Sequence, residues 1–311
     1  MTEAVAGSAR RIAITGSHGM IGRGVMHALR GRGDVVTRVV RSFRNVTARE
    51  RVAVWHPGQG QVEAAKLEGH DAVVHLAGES LVGVWTPGKK RAIRDSRVKG
   101  TELLARTLAG LREKPAVLVC ASGVTYYGRD ADAQPVDESS PPGTGFLAET
   151  AVAWERAADA ARDAGIRVVH MRFASILSPE GGLLRVLLPF YRLGLGSKFG
   201  AGEHMWPWVA LDDVVRAILF AIDHGDLDGP VNVAAPETVS NAQLTDAIAA
   251  AVSRPSVLSV PAFALRLAPG DMAEEILLAG QWVSTDKLGR AGFTFRHPQL
   301  RPALEDMLRP T

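Results

Sequence analysis

The sequence predicts an α/β fold, a Rossmann-type doubly wound parallel sheet with a smaller C-terminal substrate lobe. Three observations carry this prediction. Over the first ~180 residues, short runs that are apolar throughout alternate with stretches of helical period, the pattern of strands covered on both faces. A glycine-rich turn, Thr15-Gly16-Ser17-His18-Gly19-Met20-Ile21-Gly22, joins the first apolar run to the first helical stretch. The alternation then gives way to a glycine- and aromatic-rich segment at 181–205 and to short, unlike elements beyond residue 236.

Taken in order, Arg11–Thr15 predicts the first strand and 20–30 the first helix. Further strands are expected at Val35–Val40, 52–55, 72–76, 116–121 and Arg167–Phe173, with helices at 90–111 and 146–164. Beyond the glycine-rich segment, a helix is expected at 214–224 and a strand at 231–234. Next come a helix at 241–252, a strand at 256–260, a broken helix at 261–280 and a last helix from Pro298. The expected organisation is a flexible tail at 1–10, a dinucleotide-binding domain from 11–180 and 206–236, and a substrate lobe from 181–205 and 237–311.

A chain of 311 residues has room for both parts. No apolar run approaches the ~18 residues that span a bilayer, and the first ten residues lack the apolar core of a secretory signal, so no membrane association is expected. The single cysteine, Cys120, excludes an internal disulfide, and no His/Cys spacing suits a metal. It lies in an apolar run and is read as a small buried hydrophobe. A reducing cytoplasm is the expected compartment. Net charge is only +3. The one basic cluster, from Lys89 to Arg97, contains Asp95 and has helical character, so a solvated or cofactor-facing helix is preferred to a nucleic-acid surface.

Phosphate chemistry explains the glycines. Gly16 permits the tight turn out of the strand, Gly19 lets a pyrophosphate approach bare backbone, and Gly22 lets the helix pack closely. The helix N-terminus then offers unpaired N–H groups to the phosphates. A strand before the turn and a helix after it are the context this motif needs. NAD-selective sites place an acidic residue ~20 residues further on, at the end of the second strand. Here Arg41, Ser42 and Arg44 stand instead, and no carboxylate lies between Val35 and Thr47. A guanidinium suits a 2′-phosphate by charge and fork geometry, so NADP(H) is expected in preference to NAD(H).

The turn at Thr15–Gly22, Leu76-Ala77-Gly78 after the fourth strand and Tyr127-Gly128 after the fifth together resemble an extended short-chain dehydrogenase/reductase. Further motifs narrow the resemblance: Trp85-Thr86, Arg94-Asp95-Ser96-Arg97 with Gly100-Thr101, Ala121-Ser122, Trp154-Glu155, Leu177-Ser178-Pro179 and Trp208-Val209. As a set they resemble the atypical branch of NAD(P)-dependent epimerase/dehydratase proteins, the nucleoside-diphosphate-sugar epimerase type, over residues ~11–308. The resemblance implies that Gly16, Ser17, Gly19, Met20 and Ile21 hold the pyrophosphate and that Arg41 and Ser42 hold the adenosine phosphate. It implies that Leu76, Ala77 and Gly78 line the nicotinamide-side ribose, and that Ala121 and Ser122, with the stretch from Arg172, flank the nicotinamide.

The resemblance stops at the catalytic pair. The wider superfamily uses Tyr-x-x-x-Lys on the helix after the fifth strand, the lysine charge easing ionisation of the tyrosine. None of the three tyrosines here has a lysine four residues on, and the matching positions hold Leu147 and Ala151. Gly123 occupies the position of the usual serine, with Ser122 beside it.

Replacement candidates are Tyr126 and Tyr127, or packed aromatics in their place; Glu79, or a cap or ion-pair partner; and Ser122, or a serine bonded to backbone. Trp85, Glu149, His204 and Trp208 are candidates for the substrate wall, with a loop anchor for Trp85, a helix-face ion pair for Glu149 and an ordinary loop histidine for His204 left open. One of Asp212 and Asp213 is expected to cap a helix.

The function expected is an NADP(H)-dependent oxidoreductase or epimerase of a small polar substrate, sugar nucleotides among them, acting as a monomer or homodimer. The rival is an NADP(H)-binding sensor or scaffold without turnover.

Overall fold

The computed structural model describes residues 9–43, 47, 49–267 and 271–309. Most of the tail expected at 1–10, Arg44, and 268–270 within the expected broken helix therefore lie outside the described residues. Arg10 belongs to the fold rather than to a tail: its guanidinium pairs with Asp223 at 2.7 Å.

In chain order the first half comprises β1 (Arg11–Thr15), α1 (Met20–Gly31), β2 (Val35–Val40), β3 (Arg51–His56), β4 (Gln61–Val62), β5 (Ala72–His75), α2 (Pro87–Ala109), β6 (Val117–Gly123) and a 3-10 turn at Val124–Tyr127. It continues through β7 (Asp130–Val136), α3 (Phe146–Arg156), α4 (Asp159–Asp163) and β8 (Arg167–Phe173). The second half comprises β9 (Ser175–Leu177), α5 (Gly182–Arg192), β10 (Ser197–Phe199), β11 (Trp208–Ala210), α6 (Leu211–Asp223), β12 (Gly229–Val233) and α7 (Asn241–Ala251). Last come β13 (Leu258–Val260), α8 (Ala262–Arg266), a π turn at Ala273–Leu277, β14 (Gly280–Val283), α9 (Asp286–Arg290) and α10 (Leu300–Leu308).

Eight strands form one sheet in the order β12-β8-β6-β5-β1-β2-β3-β4, parallel except for the short antiparallel β4. Strand order reverses between β1 and β5, the place where such sheets open a crevice beyond their carboxyl ends. Alternation along β1 shows how the layers form. Ile12 and Ile14 face α1 and α6, packing with Val25, Leu29, Val214 and Ile218. Ala13 faces the other layer, with Leu104 and Leu108 of α2, Ala161 of α4 and the α4 cap residue Ala158. Cys120 is buried in this second layer, and burial raises its thiol to about 12, which keeps it protonated and inert. A separate core under Leu184, Leu188, Trp206, Trp208, Ile248 and Leu304 builds the smaller lobe.

Local signals set the helix ends. Thr86 accepts from the Lys89 N–H, and Pro87 follows at the first helical position, so α2 starts earlier than the apolar period alone indicates. Ser240 and Gln243 form a reciprocal capping box that fixes the start of α7. The helix expected at 146–164 is two pieces, α3 and α4. Neither Asp212 nor Asp213 is the cap of α6, which falls at Ala210. Asp213 is fully buried, and its carboxylate instead accepts the N–H groups of Arg296 and His297 at 2.7 and 2.8 Å, with Arg216 at 2.8 Å.

Candidate functional site

The site begins at the glycine turn. Gly16 has φ +65°, and a Cβ there would lie 2.7 Å from the Leu76 carbonyl carbon and oxygen, so only glycine lets β1 turn against the end of β5. A Cβ on Gly22 would lie 2.3 Å from the Gly16 oxygen, so a side chain would force the turn off the helix. Gly19 is the helix cap residue and gives α1 no side-chain cap. The N–H groups of the first turn are thus left for an outside acceptor. Met20 packs against Gly181, and Ile21 packs on the core. Ser17 is buried and accepts a hydrogen bond from Arg38 Nε at 3.2 Å.

Arg38 is a site residue the sequence reading missed, although a lone charge inside the apolar strand Val35–Val40 was the signal for it. It is buried, pairs with Glu50 at 2.7 Å and also reaches His18 Nε2. Burial, and then the Arg38 charge, lower the His18 pKa, so His18 stays neutral and accepts. Arg41 and Ser42 follow on the exposed strand end.

The strand ends beside the turn are fixed by a buried hydroxyl–imidazole chain. Thr15 Oγ1 accepts the N–H groups of Leu76 and Ala77, each at 3.1 Å, and bonds His75 Nδ1 at 2.7 Å. His75 Nε2 bonds Thr101 Oγ1 at 3.0 Å, which also accepts from Trp154 Nε1 at 2.9 Å. Burial lowers His75 to about 4, so it is a neutral strut. Because β5 and β6 pair with His75 opposite Cys120, Leu76–Gly78 and Ala121–Ser122 emerge next to each other. The residues expected to hold pyrophosphate, ribose and nicotinamide are thereby gathered along one sheet edge.

Beyond Ser122 the expected roles change. Ser122 Oγ donates to Glu155 at 2.7 Å, and the Nε/Nη2 edge of the Arg172 guanidinium grips both oxygens of Glu155 at 2.8 Å. Burial pushes the Glu155 carboxyl up, but the hydrogen bonds and charge of Arg172 outweigh it and hold the group below the ordinary glutamate value. Arg172 also donates to the Tyr127 hydroxyl at 3.0 Å, and that hydroxyl donates to Asn232 at 2.7 Å. Two corrections follow. Arg172, expected against the cofactor, is 2% exposed and committed to Glu155. Tyr127, expected as a proton carrier, is 5% exposed, and burial raises its pKa to about 12, so it braces the interior. Tyr126 is the half-buried phenol of the pair, with the Arg172 guanidinium 3.5 Å over its ring. Leu147 and Ala151 are both buried, so nothing at those positions supplies acid–base chemistry.

Glu79 follows the end of β5. A hydrogen bond from Lys89, at 2.6 Å, holds its carboxyl below the ordinary value, which makes it an ion-paired carboxylate at neutral pH. Three residues expected on the substrate wall lie elsewhere. Trp85 is buried, donates to the Leu81 carbonyl at 2.8 Å and packs edge-on against Phe146, so it anchors its loop. Trp208 is wholly buried and donates to the Glu237 carbonyl at 3.1 Å. Glu149 lines a groove of ≈ 780 Å³ between the outer faces of α2 and α3, with Arg94, Glu102, Arg106 and Arg156, away from the strand ends. His204 lines a cavity of ≈ 400 Å³ in the smaller lobe, with Arg129, Phe199, Arg266 and Glu274.

A parallel sheet with a glycine turn at its switch point and a second lobe over its edge defines an extended dinucleotide-binding α/β protein. The chain belongs to the NAD dependent epimerase/dehydratase family, whose model matches residues 12–234, and a domain of unknown function (DUF1731) matches residues 260–307. Within that family it is an atypical extended short-chain dehydrogenase/reductase. It is 41% identical over 294 residues to the epimerase family protein Mb2239 of Mycobacterium bovis, covering 94% of this chain and 96% of the relative. It is 31% identical to the epimerase family protein YfhF of Bacillus subtilis, covering 96% and 97%. Among solved structures it resembles the human epimerase family protein SDR39U1 (isoform 2) with NADPH, with a TM-score of 0.86, 27% identity, and coverage of 97% of this chain and 100% of the other. It also resembles the nucleoside-diphosphate sugar epimerase of Corynebacterium glutamicum, with a TM-score of 0.79 and 33% identity, covering 97% of this chain and 58% of that one. No helix of the described residues is long and apolar enough to cross a membrane.

Proposed function

We propose that this chain binds NADP(H) in preference to NAD(H) at the switch point and serves as an oxidoreductase or epimerase of a small polar substrate. The carrying observation is the uncapped N-terminus of α1, cleared by Gly16 and Gly22, with Arg41 exposed at the end of β2 and no carboxylate between Val35 and Thr47. The NADPH bound in the human relative supports the same reading. When bound, the nicotinamide supplies or accepts a hydride, and the protein supplies position and proton traffic. Gly16 to Ile21 hold the pyrophosphate, Arg41 and Ser42 the adenosine phosphate, and Leu76 to Gly78 the ribose. Ala121 and Ser122 orient the nicotinamide edge, with the Ser122 hydroxyl fixed by Glu155. Tyr126 is the phenol available for a proton, and Glu79, as a carboxylate, is an acceptor rather than a donor. Fluorescence titration is expected to give NADPH at least ~tenfold tighter binding than NADH, ~1.4 kcal/mol, with most of that ratio lost in Arg41→Ala. Equal affinities for the two nucleotides in the wild type would refute the preference.

A second reading is an NADP(H)-occupied sensor without turnover. The buried Leu147 and Ala151, where the superfamily keeps its catalytic pair, favour it. Stereospecific oxidation of NADPH with any member of a panel of carbonyl and sugar-nucleotide substrates eliminates it.

A further inference from the structure

Arg172 and Arg97 both lie near the ends of β5 and β6, and their charges are met differently. Arg172 is matched by Glu155. Arg97, reaching over from α2, is half-buried and has no such partner. Its Nη1 donates to the carbonyls of Glu79 and Ile93 at 3.0 and 3.1 Å. Among the described residues, its Nε and Nη2 make no hydrogen bond and it forms no ion pair. The guanidinium lies 5.1 Å over the Trp154 ring and flat against Gly78, whose Cβ would stand 3.4 Å from Cζ. Glu79, the carboxylate whose charge acts on Arg97, is already paired with Lys89 at 2.6 Å, and Arg41 acts on it too, so one anion is shared among three cations. Burial lowers the Arg97 pKa to about 10, opposed by Glu79, so the group keeps its charge at neutral pH without a matching counter-charge. Holding a half-buried cation in that state is costly, and such an arrangement points to an anion supplied from outside.

Position gives the same answer. Trp154 stands three residues after Ala151 on α3, so the two share a helix face. Arg97 therefore brings positive charge to the region where the superfamily's lysine would project from Ala151. The free Nε/Nη2 edge of a guanidinium pairs with both oxygens of a carboxylate, which an ammonium cannot match.

We propose that Arg97 is the substrate-recognition group of this site and that it takes a carboxylate on the substrate, placed beside the nicotinamide. The proposal rests on the cofactor reading above for the position of the nicotinamide, but not for the carboxylate itself.

The test uses oxalate as the carboxylate probe and oxamide as its neutral counterpart, with wild type, Arg97→Met and Arg97→Lys. NADPH affinity is measured first by fluorescence. Oxalate is then titrated into NADPH-saturated protein and, by calorimetry, into protein without nucleotide. The expected result is saturable oxalate binding, no comparable oxamide binding, and at least a ~tenfold loss of oxalate affinity in Arg97→Met with NADPH affinity held within about twofold. Arg97→Lys, which keeps the charge without the fork, is expected to fall between. Oxalate binding no better than oxamide, or undiminished in Arg97→Met, overturns the proposal. So does an equal loss of NADPH affinity in Arg97→Met, which would assign the guanidinium to the cofactor's own phosphates. Oxalate bound through Arg97 by a protein that takes no NADPH would sink the cofactor reading and leave the carboxylate site standing.

Discussion

Replacing Glu155 by leucine tests the most connected polar group of the site. The substitution removes both carboxylate oxygens that accept from the Arg172 guanidinium and the acceptor of the Ser122 hydroxyl. Arg172 stays in the interior, with the Tyr127 hydroxyl as its remaining hydrogen-bond partner and the Tyr126 ring beneath it. Removing one member of a buried ion pair costs about 3–5 kcal/mol, because the other charge is left unmatched. The ring at 3.5 Å offsets part of that, so about 3 kcal/mol is expected for Glu155→Leu. Replacing both charges, as in Glu155→Leu with Arg172→Met, removes the stranded cation and is expected to recover most of the loss.

Urea denaturation at pH 7.5, followed by tryptophan fluorescence, reads both values. The pH dependence supplies a second check. The folded Glu155 pKa is held below its ordinary 4.5, so its stabilisation is complete above that value and is lost as pH falls through the lower, folded value. The gap between wild type and Glu155→Leu should narrow correspondingly in acid. A loss under ~1 kcal/mol, the scale of an exposed pair, or a double variant less stable than Glu155→Leu alone, would refute the reasoning.

Two other outcomes follow from the geometry. His75 and His170 are buried and held neutral, burial lowering each from 6.5 to about 4. The unfolded chain takes up these protons first, so stability should fall as pH drops from ~6.5 towards 4, by on the order of 3 kcal/mol for each histidine. Denaturation midpoints that stay constant across that window would contradict this. Gly22→Ala puts a methyl group 2.3 Å from the Gly16 oxygen and must open the turn, so NADPH affinity should drop at least ~tenfold while far-ultraviolet circular dichroism persists. Wild-type affinity in this variant would remove the turn from the binding site.

Much of the architecture was legible because local chemistry and tertiary role coincide. The strand at Arg11–Thr15, the turn at Gly16 to Gly22 and the helix beyond it each carry their own signal, and so does the Ser240 cap. β7 carried none: its residues alternate charge with alanine and include Pro135, and only pairing with β14, far along the chain, makes it a strand. The cofactor edge was readable because glycine has few alternative uses at a strand–helix turn.

The proton chemistry was harder to read, since burial and partner choice decide it. Glu155 was seen only as part of a motif, and nothing in one dimension shows that it meets Arg172 and Ser122. Of the two roles open to Trp85 the structure shows the loop anchor, and Trp208 lies in the core rather than on the substrate wall, for a related reason. Aromatic residues between glycines line clefts, but they also fill small cores, and their buried indole N–H groups turn inward to the carbonyls of Leu81 and Glu237.

The carboxylate of Asp213 sets how this chain can be divided. It sits at zero exposure near the start of α6, and the N–H groups of Arg296 and His297 close over it from more than eighty residues away. β14 likewise seals the turn after Tyr127, through the Gln281 amide on the Gly128 carbonyl at 2.7 Å. A fragment cut after residue 236 would keep every strand of the large sheet, yet it would uncover the buried Asp213 side chain and unlatch the rim of the cleft. The last quarter of the polypeptide is thus a keystone for the large sheet, and the two stand or fall together.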